Sequence, residues 1–315
     1  MKHRSPPRAR LDTGPGVGHD GIVRRLAYIG PVLAFVAACS PDEFTSTTDA
    51  GSEAALPDVV VADREAGPPA CDRAAPLGKP TLVQWKAKPA DLPSPMIGIV
   101  RFTPDLQTAV FDEGTDGIFR ATLENGTYVG HVPLLQQLVG TAFHPTISAG
   151  GRILFARSPT AVTKSAIYEV GDVAPFYTST GTDLKFPYLL ANGSAMYFWS
   201  ETGVTTHIAR LAPPSGTATP NPLPSIPLEA TQVAVSDDEL LLYYGTGNTA
   251  ATSHVYEMKR ASLGAEWSNP SELFSKGFRL ETASYLTPDG CTLFVRAYDE
   301  SNGGTDRALY MMKRN

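Results

Sequence analysis

The sequence predicts an all-β chain folded as a β-propeller, a ring of hairpins stacked side by side, and three observations carry that prediction. A turn-and-strand segment recurs five times, as DLQTAVF (Asp105 to Phe111), AGGRILF (Ala149 to Phe155), NGSAMYF (Asn192 to Phe198), DDELLLY (Asp237 to Tyr243) and DGCTLFV (Asp289 to Val295). The spacing is steady: the last residues lie 44, 43, 45 and 52 positions apart. Each copy is followed by a polar loop and a second short apolar segment, at Ile118-Phe119, Ile167-Tyr168, Ile208-Ala209, Val255-Tyr256 and Leu309-Tyr310.

Turn, strand, loop, strand is the pattern of a hairpin. A lone hairpin is marginal in water, so five at a regular period must stack to bury their faces, and radial stacking makes a propeller. Residues 81–315 allow about 47 residues per repeat, which suits five complete blades. Six is the alternative, because the first and fourth intervals have room for a degenerate unit. The last repeat stops at Asn315 without an outer strand, while Trp85, Pro89 and Leu92 echo the spacing of Trp267, Pro270 and Leu273 in repeat four. The segment from Thr81 to Lys88 is therefore expected to close the last blade, so that no edge is left unpaired.

Composition agrees with many short strands: 28 Gly, 27 Pro, 42% hydrophobic and only 18% charged residues. The net charge of -6 understates the acidity of the body. Residues 1–38 hold six bases (Lys2, Arg4, Arg8, Arg10, Arg24 and Arg25) against Asp12 and Asp20, leaving 20 bases and 30 acids beyond them. A nucleic-acid backbone would be repelled by that balance, so nucleic acid is not an expected partner.

Arg24 and Arg25 precede an apolar run from Leu26 to Ala38, too short to span a bilayer but suited to a signal-peptide core. Val36-Ala37-Ala38-Cys39 follows and resembles a bacterial lipobox, which implies cleavage before Cys39 and a diacylglycerol on its thiol. Val36 stands where that pattern prefers Leu, and the leader before the apolar run is long. Ser40 after the lipidated position implies, by resemblance to Gram-negative lipoproteins, transfer to the outer membrane. The other reading is an ordinary signal peptide with Cys39 a chance neighbour. Residues 39–80 carry one aromatic side chain from Ser40 onward, Phe44, and eight acids against three bases, with scattered Pro, Ala and Gly. Such a stretch buries too little apolar surface to offset ordering entropy, so it is read as a flexible tether. The expected organisation is a signal peptide over 1–38, a tether over 39–80 and a propeller over 81–315.

With Cys39 acylated, Cys71 and Cys291 remain as an even pair in an oxidising compartment, and a disulfide between them is expected; the alternative is two unpaired thiols. Cys291 belongs to the last blade and Cys71 lies shortly before the closing segment.

Pro104-Asp105, His144-Pro145, Ser236-Asp237 and Pro288-Asp289-Gly290, each leading into an apolar strand, resemble the TolB-type propeller repeat, roughly S-P-D-G followed by L-x-F. The resemblance covers about residues 81 to 315 and is nearest in the last repeat. It implies a bacterial envelope protein, with a peptidoglycan-associated lipoprotein as one conceivable partner.

Markers of chemistry are sparse. No G-x-S-x-G elbow, H-E-x-x-H helix, Walker loop or C-x-x-C is present, and no histidines are paired at metal-ligand spacing. His144 falls on a turn position of the repeat and reads as structural. The acidic loops Phe111 to Gly117 and Tyr298 to Asp306 offer oxygens for Ca²⁺, but Asp, Asn and Gly supply turn geometry without an ion. No catalytic, cofactor or metal residue is assigned. The leading expectation is a surface-anchored, non-catalytic binding or scaffold module that contacts a protein, peptide or glycan through propeller loops. The alternative is a propeller hydrolase or lyase using funnel carboxylates, for which Glu281 and then Glu229 are the inner-strand candidates.

Overall fold

The computed structural model describes residues 71–86, 98–113, 117–135, 141–160, 163–203, 205–247, 252–302 and 307–315. These belong to one compact unit, Asp63–Asn315. Cys39, the signal peptide and most of the tether lie outside the described residues.

Five antiparallel hairpin repeats form five sheets. Blade one holds β3 (Val100–Phe102), β4 (Thr108–Asp112), β5 (Ile118–Glu124) and β6 (Thr127–Leu135). Blade two holds β7 (Thr141–Ile147), β8 (Ile153–Ser158), β9 (Ala166–Glu169) and β10 (Pro175–Tyr177), and blade three β11 (Thr182–Leu189), β12 (Met196–Thr202), β13 (Thr205–Leu211) and β14 (Asn221–Pro222). Blade four holds β15 (Ala230–Val235), β16 (Leu241–Thr246), β17 (His254–Lys259) and β18 (Ser271–Glu272). Blade five holds β19 (Phe278–Leu286), β20 (Thr292–Asp299) and β21 (Arg307–Lys313). The first strand of each blade touches the first strand of the next, β3 to β7, β11, β15, β19 and back to β3, so the ring closes at five. The long fourth interval holds no sixth blade; its extra length lies in the loop after Thr246 and in the nine-residue β19.

Burial follows from stacking. Inner strands are covered on both faces by neighbouring blades: five of six residues of β15 and seven of nine in β19 are buried, whereas the outermost β14 and β18 are exposed. The core is accordingly aromatic and branched, with Phe102, Phe111, Tyr197, Tyr243 and Phe294 almost wholly enclosed.

The closing segment splits between two blades. Strand β1 (Thr81–Leu82) pairs antiparallel with Met311 and Tyr310 of β21, completing blade five. Strand β2 (Trp85–Lys86) then crosses the seam and pairs parallel with Tyr128 and Val129 of β6 in blade one. Trp85 anchors the crossing, its ring 5.1 Å from Phe111 edge-on and 5.2 Å from Tyr128 in a stack.

The repeated turn has a local cause. In blade one Thr103 Oγ1 donates to Asp105 Oδ1 (2.6 Å), which also accepts from Gln107 N (3.0 Å). Ser236 with Asp238 (2.7 Å) and Thr287 with Asp289 (2.6 Å) repeat the arrangement. The next residue takes a left-handed conformation in all three, Leu106, Glu239 and Gly290. Gly290 is the unstrained solution; Glu239 is held there by Arg210 of blade three, whose Nε and Nη2 reach its carboxylate at 2.5 and 2.7 Å, with Tyr197 donating to the same group. Neighbouring turns are stitched together: Ala149 N donates to Ala191 O, Ala191 N to Asp237 Oδ1 (2.8 Å), and Asp237 N to Pro288 O.

On this turn face the N-terminal segment is latched. Cys71 and Cys291 form a disulfide, their Cα atoms 5.7 Å apart. Arg73 reaches Asp289 O (2.6 Å) and pairs with Asp238, while Gly78 N donates to Lys313 O (2.8 Å). Residues 71–80, placed in the tether on composition, run along blade five, where backbone pairing and the disulfide hold them.

Candidate funnel site

The opposite face, where inner strands begin and second strands end, opens as a cavity of about 420 Å³. All five blades line it: Gly98, Ile99 and Asp112 from blade one, Phe143 and His144 from two, Lys185 and Phe186 from three, Gln232 from four, Arg296 and Arg307 from five.

Bulges re-aim the inner strands here. The pairing of β7 shifts between Phe143 and Thr146, and that of β11 between Lys185 and Tyr188. Each bulge carries a non-glycine residue at positive φ, His144 at 57° and Phe186 at 51°. Both precede proline, and their rings stack 3.9 Å apart across the funnel wall. Backbone cost of this kind persists where packing over-determines it and gathers at functional sites.

Asp112 ends β4 with its carboxylate enclosed: Oδ1 accepts from Ile99 N and Oδ2 from His144 N, both at 2.7 Å. Burial pushes this carboxyl above its ordinary value, opposed by those two N–H groups. Burial, then the charge of Arg101, holds His144 well below its usual range, so the imidazole is neutral. Its Nδ1 has no partner among the described residues. Glu281 of β19 lies between two arginines, 2.9 Å from Arg296 Nε and 2.8 Å from Arg307 Nη2, and Arg296 also donates to Gly98 O (3.2 Å). Lys185 pairs with Asp183 (2.8 Å) and lies over the Trp199 ring at 4.8 Å.

Beneath the cavity the axis is plugged. The Tyr188 hydroxyl donates between the carbonyl oxygens of Val235 and Leu286, 3.1 Å from each, and burial pushes its pKa up to about 12. The Arg101 guanidinium covers the Tyr188 ring at 4.7 Å. Arg101 is 1% exposed, and burial lowers its pKa to about 10.

Of the residues singled out in the sequence, Glu281 is buried and paired with two arginines that line the funnel, whereas Glu229 is exposed on the approach to β15. His144 is not in a turn: the turn of blade two is Ser148–Gly151, and His144 occupies the inner-strand bulge. Of the two acidic loops, Glu113 pairs with His131 (2.9 Å) and Asp299 caps Ser301 N (2.9 Å); positions 114–116 and 303–306 lie outside the described residues. Sequence reasoning missed Asp112 as a funnel group, together with Arg101, Lys185, Gln232, Arg296 and Arg307.

The chain is thus a five-bladed β-propeller with a polar funnel at one end. No known family profile matches the sequence, and no curated protein matches it. Among solved structures, TolB from Acinetobacter baumannii is similar with a TM-score of 0.46 and 16% identity, over 70% of this chain and 54% of that one. The putative TolB from Agrobacterium tumefaciens gives 0.44 and 13%, over 65% and 71%. A gluconolactonase from Xanthomonas campestris gives 0.42 and 13%, over 76% and 91%. The chain spans about half the length of the Acinetobacter protein. The fold assignment rests on the strand order and the closed ring of inner strands.

Proposed function

We propose that this chain is a binding module of the bacterial envelope, tethered by a lipid on Cys39, which engages a protein, peptide or glycan through its funnel face. The observation that carries the reading is convergence: five blades place side chains around one cavity, and among the described residues its lining carboxylate, Asp112, is engaged by two backbone N–H groups, while Glu281 is engaged by two of the lining arginines. Groups so held suit recognition better than proton transfer. Crosslinking in intact cells followed by partner identification tests it. One stoichiometric envelope component, lost when Lys185→Glu reverses a rim charge, supports the reading; the same recovery from the variant contradicts it. Blocking lipoprotein processing should slow migration on a gel and leave Cys39 unmodified.

A second reading rests on Asp112 and His144. Both line one cavity, the Asp112 carboxylate accepting from the His144 backbone N–H, and a buried carboxyl and an imidazole so placed are groups that a hydrolase or lyase uses. Turnover of cell-wall or exported glycans by the purified protein, abolished by Asp112→Asn, would establish it over the binding reading.

A further inference from the structure

A separate recess opens on the funnel face between blades four and five, where β17 and β19 begin and β20 ends, and it shares no lining residue with the funnel cavity. Its volume is about 170 Å³, which suits one large side chain rather than a whole drug-sized ligand. Leu273, Phe278 and Leu280 give it an apolar wall, and Phe274 lines it with 81% of its own surface exposed. A single exposed apolar side chain is ordinary; one beside an apolar recess and an unanswered cation is not. The cation is Arg279. Its Nε is buried without a hydrogen-bond partner, and no described residue bonds the rest of the guanidinium or pairs with its charge. The group is held flat by the Tyr298 ring, 4.4 Å from its centre, and stacking of that kind covers a guanidinium face while leaving the N–H edge free. The acids nearby do not answer it: Glu272 is bonded to His254 at 2.7 Å, and Glu300 lines the recess without an ion pair among the described residues. Lys79 adds a second cation close by, its Nζ 5.7 Å from the centre of the Phe278 ring.

We propose that this recess binds the C-terminal residue of a partner peptide, an apolar side chain entering the recess and the free α-carboxylate meeting Arg279. The juxtaposition selects that residue. An apolar wall the size of one side chain and a receptor for a carboxylate share one small opening, so the ligand must carry both groups close together. A C-terminal residue bears them on one Cα, whereas an internal Asp or Glu brings the acid alone and an internal Leu the side chain alone. Two oxygens of a planar carboxylate match the parallel N–H groups of a guanidinium edge. The exposed Phe274 ring extends the contact to the preceding residue, which a free amino acid lacks. Glu300 favours bases further upstream in the peptide.

This proposal does not rest on the funnel reading, and either can fail alone. The test is fluorescence anisotropy of the full-length chain with the labelled hexapeptide KGKGFL, alongside its C-terminal amide and the peptide KGKGFS at matched ionic strength, with unlabelled leucine and unlabelled KGKGFL as competitors. Saturable binding of KGKGFL is expected, weakened about tenfold or more by amidation and by loss of the leucine side chain. Leucine should compete about tenfold less well than the peptide, or worse. Arg279→Gln should erase the preference for acid over amide and leave binding of the amide unchanged, a pattern that general loosening of the blade would not give. Phe274→Ala, at a position too exposed to matter for folding, should weaken the peptide about threefold or more; if Arg279→Gln does not fold, this variant and the amide still decide. Absence of saturable binding, equal binding of acid and amide, a preference kept in Arg279→Gln, or leucine competing as well as the peptide would overturn the proposal.

Discussion

Replacing Cys71 and Cys291 together by alanine should lower the stability of the ring substantially. The bridge closes a loop with a sequence separation of 220. In the chain-entropy treatment a loop of that length restricts the unfolded chain by about 5 kcal/mol at 25 °C. The residues from Cys71 onward unfold with an entropy of roughly 0.5 kcal/mol per kelvin at the usual value per residue, so the loss corresponds to about 10 °C in Tm. The native state should change little, because Arg73 on Asp289 O, Gly78 N on Lys313 O and strand β1 still hold the segment. The assay is thermal unfolding followed by far-ultraviolet circular dichroism, for the double variant and for the native chain with and without reductant. A shift below about 2 °C, with an intact disulfide demonstrated in the starting protein, would refute the loop-closure reasoning.

Three further outcomes are expected. Trp85→Ala should cost about 2–3 kcal/mol in urea unfolding, less than truncation of a fully buried aromatic because the ring is only partly buried, and should loosen the seam between blades one and five; an unchanged midpoint would show that β2 contributes nothing to closure. Glu239→Ala should cost about 2–3 kcal/mol, since Arg210 and Tyr197 lose their shared partner, while Arg210 regains some solvent contact; a loss under about 0.5 kcal/mol would mean the inter-blade network is only a surface pair. Stability should fall on acidification below the ordinary glutamate value of 4.5. Burial alone would raise Glu239 and Glu257, but bonds from Arg210 and Tyr197, and from Tyr243, Lys259 and Arg314, outweigh it and hold both below their ordinary value. A carboxyl lowered by folding stabilises above its unfolded value, and that contribution is lost as pH falls through its folded value. Tm against pH should therefore drop more steeply for the native chain than for Glu239→Gln, and parallel curves would contradict the assignment.

The ring was legible because its determinants are local. A tight turn with a left-handed residue and alternating apolar positions recur in each repeat, the turn capped by Asp or Asn in four of them and by Ser148 in blade two, and a five-residue window reads them. The cysteine pair was legible from counting. The turn of blade four was misread by one position, since Ser236 is bonded to Asp238 while Asp237 faces blade three. The funnel was not legible, because ring closure assembles it from residues far apart in sequence. Asp112 looked like a loop acid, and His144 looked like a turn residue because proline follows it. One signal was available: Arg101 in IGIVRFT and Arg296 in TLFVRAY interrupt apolar strands. A charge at such a position must face a channel, a partner or an ion pair, and here Arg101 faces the plugged axis and Arg296 the funnel.

The measurement that bears most directly on the account is site-specific photo-crosslinking in intact cells from two positions of the full-length chain. One probe replaces Phe186 in the funnel wall, and the other replaces Gln107, exposed on the turn face. The account predicts a single stoichiometric adduct from position 186 and none from position 107; adducts from position 107 alone would place the contact on the wrong end of the ring.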